Sequence, residues 1–269
     1  MIHHEYNNVV ASASAARRIC ANGWFESLSS VRKHELQLFC FPYAGGNAQI
    51  FRPWRQHLPP EVDLWLAHLP GRGRRMHEPP VRRIRPLVER IADTILPELH
   101  PPFAFFGHSM GAVISFEVAR ELRRRRSMEP VHLFVSGRRA PHIPDSQPHI
   151  FDLPHDEFIN ELRKLNGTPQ ALLENPELVE LVLPIIRADF ELVETYSYAP
   201  EEPLSSSITA YGGVQDADVP VESVSAWKEH TASAFTKKIL PGDHFFIHSP
   251  MFCNALTDNL AELLHKMRQ

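Results

Sequence analysis

Six short apolar runs constrain this chain more than any other feature. They cover residues 36–41, 64–69, 103–107, 132–136, 208–212 and 236–240, and are rich in Phe, Val, Ile and Leu. Each has the length of a strand buried on both faces. Segments with helical spacing lie between most of them. Residues 81–99 place Ile84, Leu87, Val88, Ile91, Ile95 and Leu96 at three- and four-residue steps, which makes one apolar face. Further helices are expected over 111–126, over 220–230 after Pro220, and over 250–266 from Pro250. Runs that are apolar throughout must be covered on both sides. Alternating strands and helices achieve that with a mostly parallel central sheet and helices on both faces, an α/β fold.

One region breaks the alternation. From residue 154 to 198 no strand is expected, only helical segments such as HDEFINELRKL and NPELVELVLPIIRADFELVETY, the latter interrupted at Pro184. Helices inserted between two strands of such a sheet cover the active-site face, so a helical lid is expected at about 150–200. Residues 23–269 then form a single domain, and 1–22 a flexible N-terminal extension. The pair His3-His4 in that extension lacks the further ligands of a metal site.

The stretch FFGHSMGAVISF, residues 105–116, joins an apolar strand to a small-residue helix. A serine at a sharp strand-to-helix turn brings neighbouring chain close at two positions on either side of it. Gly107 and Gly111 relieve that crowding. The turn lifts the Ser109 hydroxyl above the sheet edge and aims the Met110 amide and the helix N-terminus at a reacting carbonyl.

A serine nucleophile needs a base. Of sixteen histidines, His244 in LPGDHFFIHSP follows a strand and sits late in the chain, where this arrangement puts its base. His248 is the local competitor. The base needs a carboxylate to fix its tautomer. ITAYGGVQDADVP supplies Asp216 and Asp218 at a strand end, with Asp216 preferred, while Asp243 is read as a turn residue. The order Ser109, Asp216, His244 is that of the α/β-hydrolase fold. The second oxyanion donor is expected from FCFPYAGGNAQIF, at the Ala44 amide; an ordinary glycine turn is the plain alternative. The arginines of PGRGRR, residues 70–75, read as a solvated loop, with contact to a ligand phosphate as the alternative. Arg123–Arg126 close a helix, where cations suit the dipole, and docking of an acidic partner is the alternative. Asp189 and Glu191 are given a structural role on a helix.

Bulk properties narrow the class. The chain has 269 residues, a net charge of −4 and 22% charged residues. A nucleic-acid binder would carry a basic excess. No apolar run approaches the roughly 18 residues that span a bilayer. The N-terminus has no cation before its small residues, unlike a signal peptide. Cys20, Cys40 and Cys253 are scattered and odd in number, which fits a reducing cytoplasm better than disulfides or zinc.

Taken in order, WF before the first strand, LFCFPYAGG (38–46), LPGRGRR (69–75), FAFFGHSMG (103–111), LPIIRADFELVETY (183–196), YGGVQDADV (211–219), AWKEHT (226–231) and LPGDHFF (240–246) resemble the type II thioesterases of polyketide and nonribosomal peptide assembly lines. That group is similar to the medium-chain acyl thioesterase of fatty acid synthase. The resemblance runs from Trp24 to the C-terminus. It implies Ser109 as nucleophile, Asp216 as acid, His244 as base, and Ala44 and Met110 as oxyanion amides. Ala217 stands where the family often has proline after the acid. The resemblance also implies the substrate: acyl groups on the phosphopantetheine thiol of carrier-protein domains (ACP or PCP), hydrolysed to clear stalled or aberrant units. It implies no cofactor and no metal. A monomer is expected, with neither nucleic acid nor membrane as partner. A medium-chain acyl thioesterase and a small-molecule ester hydrolase with the same triad are the alternative enzymes, and a non-catalytic carrier-binding scaffold the remaining alternative.

Overall fold

A computed structural model describes residues 18–19, 23–29, 34–145 and 147–269. His3, His4 and Cys20 lie outside the described residues.

The strands are β1 (Arg18–Ile19), β2 (Phe25–Ser27), β3 (Leu36–Phe41), β4 (Val62–Ala67), β5 (Phe103–His108), β6 (His132–Ser136), β7 (Ser207–Gly213) and β8 (Phe235–Leu240). They form one sheet in the order β1-β2-β4-β3-β5-β6-β7-β8. From β4 to β8 all neighbours are parallel, while β1 and β2 add antiparallel at one edge. All six apolar runs are strands of the parallel part. β3, β4 and β5 are buried at every position, as their unbroken apolar runs require.

The edge hairpin departs from expectation. Arg18 and Ile19, placed by sequence in a flexible extension, pair with Ser27 and Glu26. The rest of residues 1–22 lies outside the described residues. β2 carries Glu26, a poor strand former, and its pairing with β4 is a tertiary effect. The Glu26 carboxylate is fully buried and takes two 2.8 Å bonds from Arg52.

The helices are α1 (Ile84–Ile95), α2 (Met110–Arg126), α3 (His155–Leu165), α4 (Gln170–Leu173), α5 (Pro176–Glu194), α6 (Val221–Ser225) and α7 (Pro250–Met267). α1 and α2 pack on one face of the sheet around Phe39, Phe105 and Leu133; α7 packs on the other around Leu38, Phe106 and Phe134. α3 to α5 lie between β6 and β7 and build a core of their own from Phe158, Leu162, Leu173, Val179, Leu183 and Ile186. Pro184 does not interrupt α5, which runs continuously across it. Its buried face continues from Val179 and Leu183 to Ile186, Asp189 and Leu192. Asn175 caps its first amides and Pro176 opens it. That packing outweighs one lost backbone bond.

This topology positions the site. From β3 the chain crosses to β4 on one side and then to β5 on the other, so β3 and β5 form a switch point with a crevice at their carboxyl ends. Phe41 pairs with Gly107 there. The loops after β3, β5, β7 and β8 all open at that edge.

Candidate active site

Ser109 follows β5 and caps α2 with φ 54° and ψ −113°, a strained conformation for any residue with a side chain. The surroundings enforce it. The Ser109 amide donates to the Ser136 carbonyl at 2.8 Å, and its own carbonyl accepts from Ala112 at 3.0 Å. A Cβ on Gly107 would stand 2.0 Å from the Gly111 carbonyl oxygen, and one on Gly111 2.0 Å from that of Phe41. Both glycines are steric necessities. Met110 is the first residue of α2, so its amide has no partner within the helix.

The loops after β7 and β8 are tied together. Val214 donates to Leu240 at 2.8 Å and Gln215 to Gly242 at 2.9 Å. This brings Asp216 and His244 into contact: His244 Nδ1 lies 2.8 Å from Asp216 Oδ2. The Asp216 side chain is fully buried and that of His244 is 18% exposed. The other Asp216 oxygen, Oδ1, accepts from the amides of Asp218 at 3.1 Å and Val219 at 3.2 Å. A buried carboxylate needs such partners. They also leave one oxygen to the imidazole, which can receive a proton that Nδ1 donates.

The competing residues go elsewhere. Asp218 is exposed, although one of its oxygens lies within 4.8 Å of a carboxylate oxygen of Asp216 and a ring nitrogen of His244. Asp243 accepts from the Phe245 amide at 2.9 Å, a turn role. His248 Nε2 lies 3.1 Å from the Tyr43 hydroxyl. Burial holds the His248 ring below its ordinary pKa.

After β3 the chain turns through Ala44 and Gly45, with Gly46 N bonding Tyr43 O at 2.9 Å and Gly45 at φ 74°. The Ala44 amide is left out of that turn bond. Ala44, Ser109, Met110, Asp216 and His244 all line one cavity of about 880 Å³, which is also lined by Leu162 of α3 and by Ile186, Phe190 and Val193 of α5.

Five residues have partners that sequence reasoning missed. His108 lies fully buried behind the site. Its Nδ1 is 3.0 Å from Ser136 Oγ and its ring centroid 5.1 Å from that of His244. Burial, then the neighbouring His244 and His248, hold it well below the ordinary histidine range, so it is neutral beside His244. Arg72, expected on a solvated or ligand-binding loop, is buried and makes two bonds to Asp189, at 2.5 and 2.6 Å. Nothing local signals that pairing, because the partners are 117 residues apart. Arg123 and Arg124 both pair with Glu201, and Arg125 pairs with Asp93, so three of the four helix-end cations are engaged within the chain.

The thioesterase-domain family model matches residues 36–266. The chain belongs to the thioesterase family. Its relatives include the linear gramicidin dehydrogenase LgrE of Brevibacillus parabrevis, 46% identical over 84% of this chain and 87% of that protein. The gramicidin S biosynthesis protein GrsT of Aneurinibacillus migulanus is 44% identical over 86% of this chain and 90% of that one. Among solved structures, the type II thioesterase BorB of the borrelidin biosynthetic cluster superposes with a TM-score of 0.80 at 34% identity, covering 90% of this thioesterase and 97% of BorB. Helices long and apolar enough to cross a membrane are absent among the described residues.

Proposed function

We propose that this chain is a serine thioesterase that hydrolyses acyl groups from the phosphopantetheine thiol of carrier proteins in a polyketide or nonribosomal peptide assembly line. The observation that carries the chemistry is the His244–Asp216 bond of 2.8 Å, which opens on the same cavity as the strained Ser109 elbow. The carrier-bound substrate rests on the relatives: GrsT is named for gramicidin S biosynthesis and BorB as a type II thioesterase of a biosynthetic cluster.

The reaction runs in two halves. His244 Nε2 takes the Ser109 proton as Oγ attacks the thioester carbonyl. Negative charge develops on the carbonyl oxygen, and the amides of Ala44 and Met110 donate to it, aided by the α2 N-terminus. Asp216 stabilises the imidazolium. The thiol leaves with the proton from His244, and an acyl group remains on Ser109. Water then gives a proton to His244 and attacks the acyl-serine. The acid departs and Ser109 recovers its proton. The α3–α5 insertion acts as a lid, walling the acyl group from bulk water. LgrE bears the name of a dehydrogenase; the loop after β3 here, Pro42-Tyr43-Ala44-Gly45-Gly46, is not the G-x-G-x-x-G of a dinucleotide site.

The test compares one acyl group on a carrier protein, on coenzyme A and as a simple ester, with Ser109→Ala as control. Carrier-bound thioester should give the highest kcat/KM, and Ser109→Ala should lose turnover of all three. Preference for the simple ester would replace the assembly-line reading with that of an esterase.

A further inference from the structure

The buried Arg72–Asp189 pair lies outside the residues that act on substrate, yet its remaining bonds converge on one two-residue stretch of the site, Gly45-Gly46. Asp189 Oδ2 accepts from the Gly45 amide at 2.8 Å, and Arg72 Nη1 donates to the Gly46 carbonyl at 3.1 Å. Arg72 and Asp189 are 8% and 2% exposed. Two charges withdrawn from water are costly, and an apolar pair of similar volume would hold the fold as well. What an apolar pair could not supply is the bond to Gly45, next to the Ala44 amide. The carboxylate belongs to α5, and one turn earlier on the same helix Ile186 packs on the loop: a Cβ on Gly45 would lie 3.3 Å from its Cγ1. Ile186, Phe190 and Val193 of α5 also line the cavity.

We propose that the Arg72–Asp189 pair is a positioning clamp. It holds the Gly45-Gly46 stretch at its leading amide and its trailing carbonyl, so the Ala44 donor is correctly placed only while α5 is seated. Closure of the acyl cavity and assembly of the oxyanion hole are thereby one event. The proposal rests on the reading of Ser109 as nucleophile and Ala44 as donor.

The test uses the full chain and three variants: Asp189→Asn, Arg72→Lys, and the double Arg72→Met with Asp189→Leu, which removes both charges together. The measurements are kcat and KM with an acyl-coenzyme A, affinity for an alkylboronic acid that forms a tetrahedral adduct on the serine, and Tm. The double variant should remain folded, with kcat down about 100-fold, KM within about threefold, and boronic acid affinity falling in step with kcat. Arg72→Lys keeps the charge but not the fork, and should recover part of kcat. A folded double variant with wild-type kcat overturns the clamp. Hydrogen exchange on the unmodified protein decides independently of any variant. The Gly45 amide should exchange together with residues 183–190 of α5, and free exchange at Gly45 while α5 stays protected overturns the proposal. Ser109→Ala runs alongside. If it keeps turnover, the serine reading fails; if it is inactive while the double variant is fully active, the clamp alone fails.

Discussion

Replacing Asp216 by asparagine changes one atom and should nearly silence the enzyme. The structure dictates how. Oδ1 of Asp216 accepts from two backbone amides, Asp218 and Val219, at 3.1 and 3.2 Å. An asparagine must keep its carbonyl oxygen there, because turning its NH₂ toward two N–H donors would leave three buried donors facing one another. Its NH₂ then faces His244 Nδ1, the atom now 2.8 Å from Oδ2. Nδ1 must become the acceptor, and the ring proton moves to Nε2, the atom that receives the serine proton in the proposed mechanism. The fold is untouched and the base is the wrong tautomer. The expected loss in kcat is about 10⁴-fold, or about 5.5 kcal/mol of transition-state stabilisation. Turnover of acyl-carrier substrate is the assay, with Tm as the fold control and imidazole ¹⁵N shifts reporting the tautomer. A folded Asp216→Asn protein within tenfold of wild-type kcat would refute the assignment of Asp216.

Two further outcomes follow from the same structure. Ser109→Gly should abolish turnover and yet raise Tm by about 2–4 °C. Relief of a conformation costing about 1–3 kcal/mol outweighs the added chain entropy of glycine; a lower Tm would mean that the elbow is unstrained. Stability should also fall as pH drops from 6.5 toward 4. Burial holds His132 and His230 at about 4, and His108 well below its ordinary value, so across that window the unfolded chain binds protons that the folded chain refuses. Each contributes up to about 1.4 kcal/mol per pH unit. Urea melts at pH 7 and pH 5 measure it: His132→Gln should flatten the slope, and a wild-type midpoint unchanged between the two would contradict it.

Much of this was legible in the sequence because the features responsible are local. An apolar run such as 103–107 can only be a strand covered on both faces. Gly107 and Gly111 report the steric crowding of an elbow directly. Asp216 could be ranked above Asp218 because it comes first after the β7 turn, and the structure gives it the bond to His244. What stayed hidden is non-local. β2 pairs with β4 through a segment containing a buried glutamate, and the helical face of α5 carries the chain through Pro184. The Arg72–Asp189 pair joins two motifs that look separate. LPGRGRR reads as a surface loop and RADFE as a helix face, until folding puts both on the loop after β3.

The central claim is that Ser109 carries the acyl group between the two halves of the reaction. Intact-mass analysis of protein quenched during turnover of an acylated carrier protein tests this most directly. The predicted result is a mass increase equal to one acyl group, mapped to Ser109 by peptide sequencing and absent in Ser109→Ala. Hydrolysis at the wild-type rate by Ser109→Ala, or an acyl group mapped to another residue, would contradict it.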